Sequence, residues 1–191
     1  MLLHINDHLE LELVKEDFAR EIFELIEDNY DYLSEWLPWV EDTRDIEDTL
    51  AFIRFSMEQA EKKESFNFAI KNQGKITGLI GLHKIDYPNQ KTAIGYWQSE
   101  DTQGKGLMTL ACKAILDYSF NVLGLQKIEI ECATGNFKSQ AIPARLNFVQ
   151  EGIKFQAAEH SSGFVDHYVY AMTSDQWLRT RSSDPESQQP A

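Results

Sequence analysis

The chain has 191 residues, 42% hydrophobic and 26% charged, a balance that places it among single soluble globular domains. Its 18 Lys and Arg against 31 Asp and Glu give a formal net charge of −13, the wrong sign for neutralising nucleic-acid phosphates. A domain of this size buries about 70% of its unfolded surface and needs no metal or disulfide staple.

An acidic field favours the approach of a cationic ligand, and equally keeps a protein soluble. Cys112 and Cys132 lie too far apart for a CxxC pair, and no charged-then-apolar leader stands at MLLHINDHLE. No apolar run approaches the ~20 residues of a membrane helix. The expectation is a reduced cytoplasmic protein with no metal, no membrane partner and no nucleic-acid partner.

In chain order, residues 8–14 (HLELELV) alternate polar and apolar, the pattern of a half-buried strand. Residues 15–29 place Phe18, Ile22, Phe23, Leu25 and Ile26 at helical spacing, with acids in the first turn where the helix dipole favours them. Residues 30–40 are aromatic and interrupted by Pro38, which predicts a short helix ending in a loop. Thr43 or Asp45 caps a third helix carrying Ile46, Leu50, Phe52, Ile53 and Met57 on its apolar face.

From Ser65 the period becomes that of strands. SFNFAIK, a turn at Asn72, Gln73 and Gly74, KITGLIGLHKI, a second turn and TAIGYWQ predict three antiparallel strands ending at Gln98. Gly95 within the last marks a bulge or a close backbone approach. A helical pattern then runs from Leu107 to Gly124, with Leu110, Ala111, Ala114, Ile115 and Tyr118 inward.

The strand QKIEIECAT, a helix over 137–147, FVQEGIKFQAAE and a final strand FVDHYVYAM complete an α+β order with a mixed sheet. Beyond Trp177 the sequence RTRSSDPESQQPA has no apolar period and reads as a disordered tail.

The stretch most informative about chemistry is SEDTQGKGLM (99–108), which joins a strand to a helix through Gly104 and Gly106. Glycines admit close approach, and the first N–H groups of a helix point at whatever lies before them, so the junction suits an anion. It is neither a Walker loop nor GxGxxG, since Thr109 stands where the third glycine belongs.

Several ordered landmarks accompany it: SEWLPWVEDT (34–43), GLIGLHKID (78–86), IGYWQSEDTQGKGLMTLA (94–111), GNFKSQAIPARLNFVQEG (135–152) and AEHSSGFVDHYVYAM (158–172). Together they resemble the GNAT superfamily of acyl-CoA-dependent N-acyltransferases, in particular the RimJ/RimL type that acetylates ribosomal-protein N-termini. The resemblance implies a single GNAT-like domain over 1–178, α+β, with a central mixed, mostly antiparallel sheet flanked by helices. The tail is then 179–191.

By resemblance, Gln103, Gly104, Lys105, Gly106, Leu107 and Met108 hold the coenzyme A pyrophosphate through backbone amides. Trp97 and Gln98 pair with the pantetheine arm like an added strand. Asp101 departs from the family loop, which often begins with Gln or Arg there, and an acid beside a pyrophosphate weakens its binding.

Asn136 and Ser139 fall at the coenzyme thiol, where Ser139 would protonate the leaving thiolate; without the resemblance, Asn136 simply caps the helix and Ser139 fills its first turn. Pro143 removes the amide that would bond to the Ser139 carbonyl, predicting a kink. Glu159 falls where the family places a general base, and reads otherwise as a solvated loop glutamate. Trp36, Trp39 and His83 are candidates for the substrate pocket.

The function implied is acetyl transfer from acetyl-CoA, the co-substrate, to a primary amine, foremost a protein N-terminal α-amine, by direct attack in a ternary complex. Strand amides near Gly95 to Gln98 would stabilise the oxyanion. A small-molecule acetyltransferase for a polyamine, amino sugar or antibiotic and a non-catalytic acyl-CoA-binding module are the alternatives. A homodimer is the family expectation.

Overall fold

The computed structural model describes residues 1–160 and 163–182. Among these residues eight strands form one sheet: β1 (Leu2–His4), β2 (Leu9–Leu13), β3 (Phe66–Asn72), β4 (Lys75–Asp86), β5 (Lys91–Gln98), β6 (Lys127–Ala133), β7 (Val149–His160) and β8 (Gly163–Thr173). Their order is β1-β2-β3-β4-β5-β6-β8-β7. Every neighbouring pair is antiparallel except β5 with β6, which is parallel.

Among the described residues six α-helices cover the sheet: α1 (Ala19–Asp28), α2 (Tyr30–Ser34), α3 (Ile46–Glu61), α4 (Leu107–Asp117), α5 (Phe137–Arg145) and α6 (Ser174–Ser182). A parallel pair needs a crossover, and α4 supplies it between β5 and β6. The single-domain α+β fold with a mixed, mostly antiparallel sheet is thus the one the sequence implies.

The two faces of the sheet bury separate cores. On one, Ala111, Cys112 and Ile115 of α4 pack on Phe68, Ile80, Ile94, Ile128 and Met172. On the other, Ile22 and Ile26 of α1 and Ile53 of α3 pack on Ala69, Ile76 and Leu79. Alternation along each strand sends its side chains to both.

The β3–β4 hairpin closes on Gln73 (φ 53°) and Gly74 (φ 79°), both left-handed as a two-residue turn of this twist requires. Asp45, rather than Thr43, caps α3: its carboxylate accepts from the N–H groups of Glu47 and Asp48, and Asp48 reaches back to the Asp45 N–H.

Three expectations change. The buried face of α3 carries Thr49, Ile53 and Ser56, leaving Phe52 and Met57 exposed, because Asn67 of β3 reaches across to donate to Ser56 Oγ at 3.1 Å. The buried stripe of α4 centres on Met108, Ala111, Cys112 and Ile115, with Leu110 and Ala114 at its margin, and its last residues widen into a π turn (Tyr118–Val122).

Helix α6 runs to Ser182, into the segment expected to be tail. Buried Trp177 anchors it by donating from Nε1 to Asp117 Oδ1 at 2.9 Å, and Arg181 pairs with the same carboxylate. The expected tail beyond Ser182 lies outside the described residues.

Candidate active site

Strands β5 and β6 pair only from Lys91↔Lys127 to Ile94↔Ile130. Beyond Ile94, β5 stays with β4 while β6 stays with β8, so the sheet opens into a gap. Ser99 N–H donates to Thr77 O at 2.9 Å, which sets the phase of the β4–β5 ladder. Alternation then commits the backbone groups of Gly95 and Trp97 to β4 and turns the N–H and C=O of Tyr96 and Gln98 toward the gap. Trp97, expected to pair by its backbone with a ligand in the gap, instead presents its ring to the α1 and α3 side, 6.0 Å from the Trp39 ring.

At the far end of β5 a short 3-10 turn (Glu100–Thr102) leads into the glycine loop. It is fixed by Ser99 Oγ against Thr102 Oγ1 at 2.9 Å and by the Glu100 N–H donating to Asn29 Oδ1 at 2.8 Å. Gly104 (φ 72°) and Gly106 (φ 77°) are left-handed, and each faces open space where a Cβ would be. Gly106 is the N-cap of α4 and no side chain caps that helix, so the N–H groups of its first turn face the loop. Asp101 and Lys105 are exposed, while the buried Gln98 Oε1 has no hydrogen-bond partner among the described residues.

Helix α5 begins where β6 ends. Asn136 Oδ1 accepts from the Ser139 N–H at 2.9 Å, the N-cap the sequence suggests. Pro143 lies within α5 without ending it. The carbonyl it deprives of a donor, Ser139 O, accepts instead from the Tyr96 hydroxyl at 2.9 Å.

Ser139 Oγ lies 3.2 Å from Cys132 Sγ and 3.4 Å from Tyr96 Oη, making a hydroxyl–thiol cluster on the α4 side of the gap. Burial holds the Tyr96 phenol well above its ordinary range and raises the Cys132 thiol, so both are neutral at pH 7. Neither was a candidate from sequence; the strand alternation that puts Tyr96 beside Ile94, facing α4, is the signal that finds it.

On the opposite face a cavity of about 500 Å³ opens between α1, α3 and the strands. Trp39, Phe52 and Trp97 line it with Ile22, Leu79 and Gly95, and Asp48, Thr49 and His83 supply polar groups. Trp39 and His83 therefore share one pocket, whereas Trp36 lies outside it, against Gly135, where a Cβ would sit 3.5 Å from the indole. Glu159 is exposed on β7 opposite Phe164 and outside the cavity lining; its neighbour His160 is buried, with Nδ1 3.2 Å from Glu35 O.

Residues 8–149 match the family model of the acetyltransferase (GNAT) domain. The chain belongs to the GNAT acetyltransferase family. This acetyltransferase is 30% identical over 175 residues to YdaF of Bacillus subtilis (strain 168), provisionally named a ribosomal N-acetyltransferase, covering 91% of this chain and 95% of that one. Over 85 residues it is 34% identical to the spermidine N(1)-acetyltransferase of Escherichia coli (strain K12), 44% of this chain and 46% of that one.

Among solved structures, the microcin C7 self-immunity acetyltransferase MccE, in complex with acetyl-CoA and AMP, superposes with a TM-score of 0.85 at 28% identity, covering 88% of this chain and 94% of that one. The acetyltransferase is an acetyl-CoA-dependent N-acetyltransferase. Its own residues fit that substrate: an uncapped helix start behind two left-handed glycines, an open strand edge, and the unpartnered buried Oε1 of Gln98.

Proposed function

We propose that this enzyme acetylates the N-terminal α-amine of a protein or peptide by direct attack on acetyl-CoA. The observation that carries the reading is the gap beyond Ile94, which has the glycine loop at its rim, the Ser139 cluster on one face and the apolar cavity on the other.

The pyrophosphate lies on the N–H groups of Leu107 and Met108, approached through Gly104, Lys105 and Gly106, with Gln103 beside it. The pantetheine arm takes the place of the missing β6 partner, bonded to the backbone of Tyr96 and Gln98, past Asn136 at the start of α5. The thioester then rests at the narrow end of the gap, where the Tyr96 N–H is oriented to meet the developing oxyanion.

Ser139 Oγ protonates the departing thiolate. Neither cysteine forms an acyl intermediate: burial raises both thiols, leaving almost no thiolate to attack.

The amine enters from the cavity. A polyamine, with several cationic centres, calls for several carboxylates around it, but among the described residues Asp48 is the one acid in this lining, and its Oδ2 already accepts from the N–H groups of Arg44 and Asp45. An apolar pocket with a single amine-binding end suits a chain terminus better. The ribosomal assignment of YdaF supports the same class of acceptor, while the spermidine enzyme's likeness keeps the small-amine reading as the second.

The test is thiol release from acetyl-CoA with peptides bearing free N-terminal Ser or Ala, against spermidine. Faster turnover of a peptide is expected. Turnover of spermidine alone would assign the cavity to small amines.

A further inference from the structure

We infer that His83 is the proton acceptor for the incoming ammonium, because its ring stands in the cavity wall against Gly95, at the level where β5 parts from β6. The inference rests on the acetyl-transfer reading above and adds the group that makes the amine a nucleophile.

Gly95 is the first residue of β5 beyond the last β6 partner. A Cβ built on it would stand 2.6 Å from His83 Nε2 and 3.0 Å from Cδ2, so the imidazole edge occupies the space that a side chain there would claim. An acyl group at the narrow end of the gap and an amine in the cavity therefore meet beside that ring. Glu159, on β7 and outside the lining, does not share this position.

A general base needs a free lone pair and a neutral resting state. The His83 ring makes no hydrogen bond with a described residue, and the cavity keeps it accessible. Around it, β5 presents Gly95 and Trp97, β3 presents Asn67, and α3 presents Thr49 and Asp48. Asp48 is the charged group among these, engaged in the α3 cap, and Tyr96 is the other titratable one, neutral. Although the residue is partly open to solvent, desolvation by the cavity wall lowers the imidazole from its ordinary value with no carboxylate to oppose it, so it is unprotonated at pH 7.

In the reaction the ammonium passes one proton to Nε2, and the freed lone pair forms the C–N bond at the thioester carbonyl carbon. The adduct collapses with cleavage of the C–S bond. The sulfur takes the Ser139 hydroxyl proton, and the second nitrogen proton replaces it on Oγ. His83 returns its proton to water, so each turnover of an ammonium substrate releases one proton with the amide and the thiol.

The test is kcat/KM against pH for a Ser-initiated peptide with wild type, His83→Gln, His83→Ala and Glu159→Gln, alongside calorimetric acetyl-CoA affinity. Wild type should show an acid limb below the ordinary histidine range. In His83→Gln the rate should fall about 10²-fold or more, with acetyl-CoA affinity retained, and should climb with pH as the amine itself deprotonates. Added imidazole should restore part of the rate to His83→Ala, an effect that a structural role would not produce.

An unchanged rate and acid limb in His83→Gln, or loss of the limb in Glu159→Gln instead, would overturn the assignment while leaving acetyl transfer standing. Wild type that binds acetyl-CoA yet turns over no peptide or spermidine would overturn the transfer reading and the His83 role together.

Discussion

Pro143 has no amide hydrogen, and the carbonyl four residues back is that of Ser139, the residue proposed to protonate the thiolate. The sequence suggests that this missing bond kinks α5; the structure instead satisfies the carbonyl from β5, through the Tyr96 hydroxyl at 2.9 Å. The local defect thus becomes a tertiary tie that fixes Ser139 relative to the open edge.

Tyr96→Phe strands that carbonyl and should destabilise the fold by about 1–3 kcal/mol while lowering kcat. Pro143→Ala in the same background restores a helical donor and should recover part of the stability. Urea unfolding of the double-mutant cycle checks this, and strict additivity would show that the two residues are not coupled. Ser139→Ala should lower kcat far more than it changes acetyl-CoA affinity, as single-turnover kinetics would show.

Among elements, α3 shows what local pattern can and cannot determine. Its start is legible because a capping box is a matter of four adjacent residues, and Asp45→Ala should lower stability by about 1 kcal/mol in a denaturant titration. Its buried face is less legible, since Ser56 turns inward to accept from Asn67, 11 residues further along the chain.

The same limit hides α6. No apolar period marks Arg179–Ser182, yet Trp177 and Arg181 both bind Asp117, some 60 residues earlier. Trp177→Ala should cost about 3–5 kcal/mol and lower the thermal midpoint accordingly. The glycine loop lies at the opposite extreme: two glycines before an apolar helix announce an open helix start, and Gly104 and Gly106 sit there with left-handed backbones. The cavity draws on helices and strands far apart in sequence, so the sequence and its resemblance give His83 and Trp39 as candidates without saying that they share a pocket and that Trp36 and Glu159 lie outside it.

For the molecule as a whole, the decisive feature is a sheet that parts between its one parallel pair of strands. Each face of the opening has its own core, so in the proposed mechanism the acyl donor and the acceptor reach the gap over different packed surfaces. A formal charge of −13 surrounds both.

Long-range attraction of a cationic acceptor is screened by salt, so kcat/KM for a Lys-rich peptide should fall several-fold between low and physiological ionic strength while a neutral peptide with the same N-terminus changes little. Equal salt responses would remove the acidic field from the account of acceptor capture.

Every step proposed here passes through the gap and its glycine loop, and calorimetric titration of the purified protein with acetyl-CoA tests that directly. Saturable binding at one site per chain is the predicted result. No binding at millimolar acetyl-CoA would contradict the account, and would mean that the open edge of β5 and the uncapped start of α4 do not together form a coenzyme site in this chain.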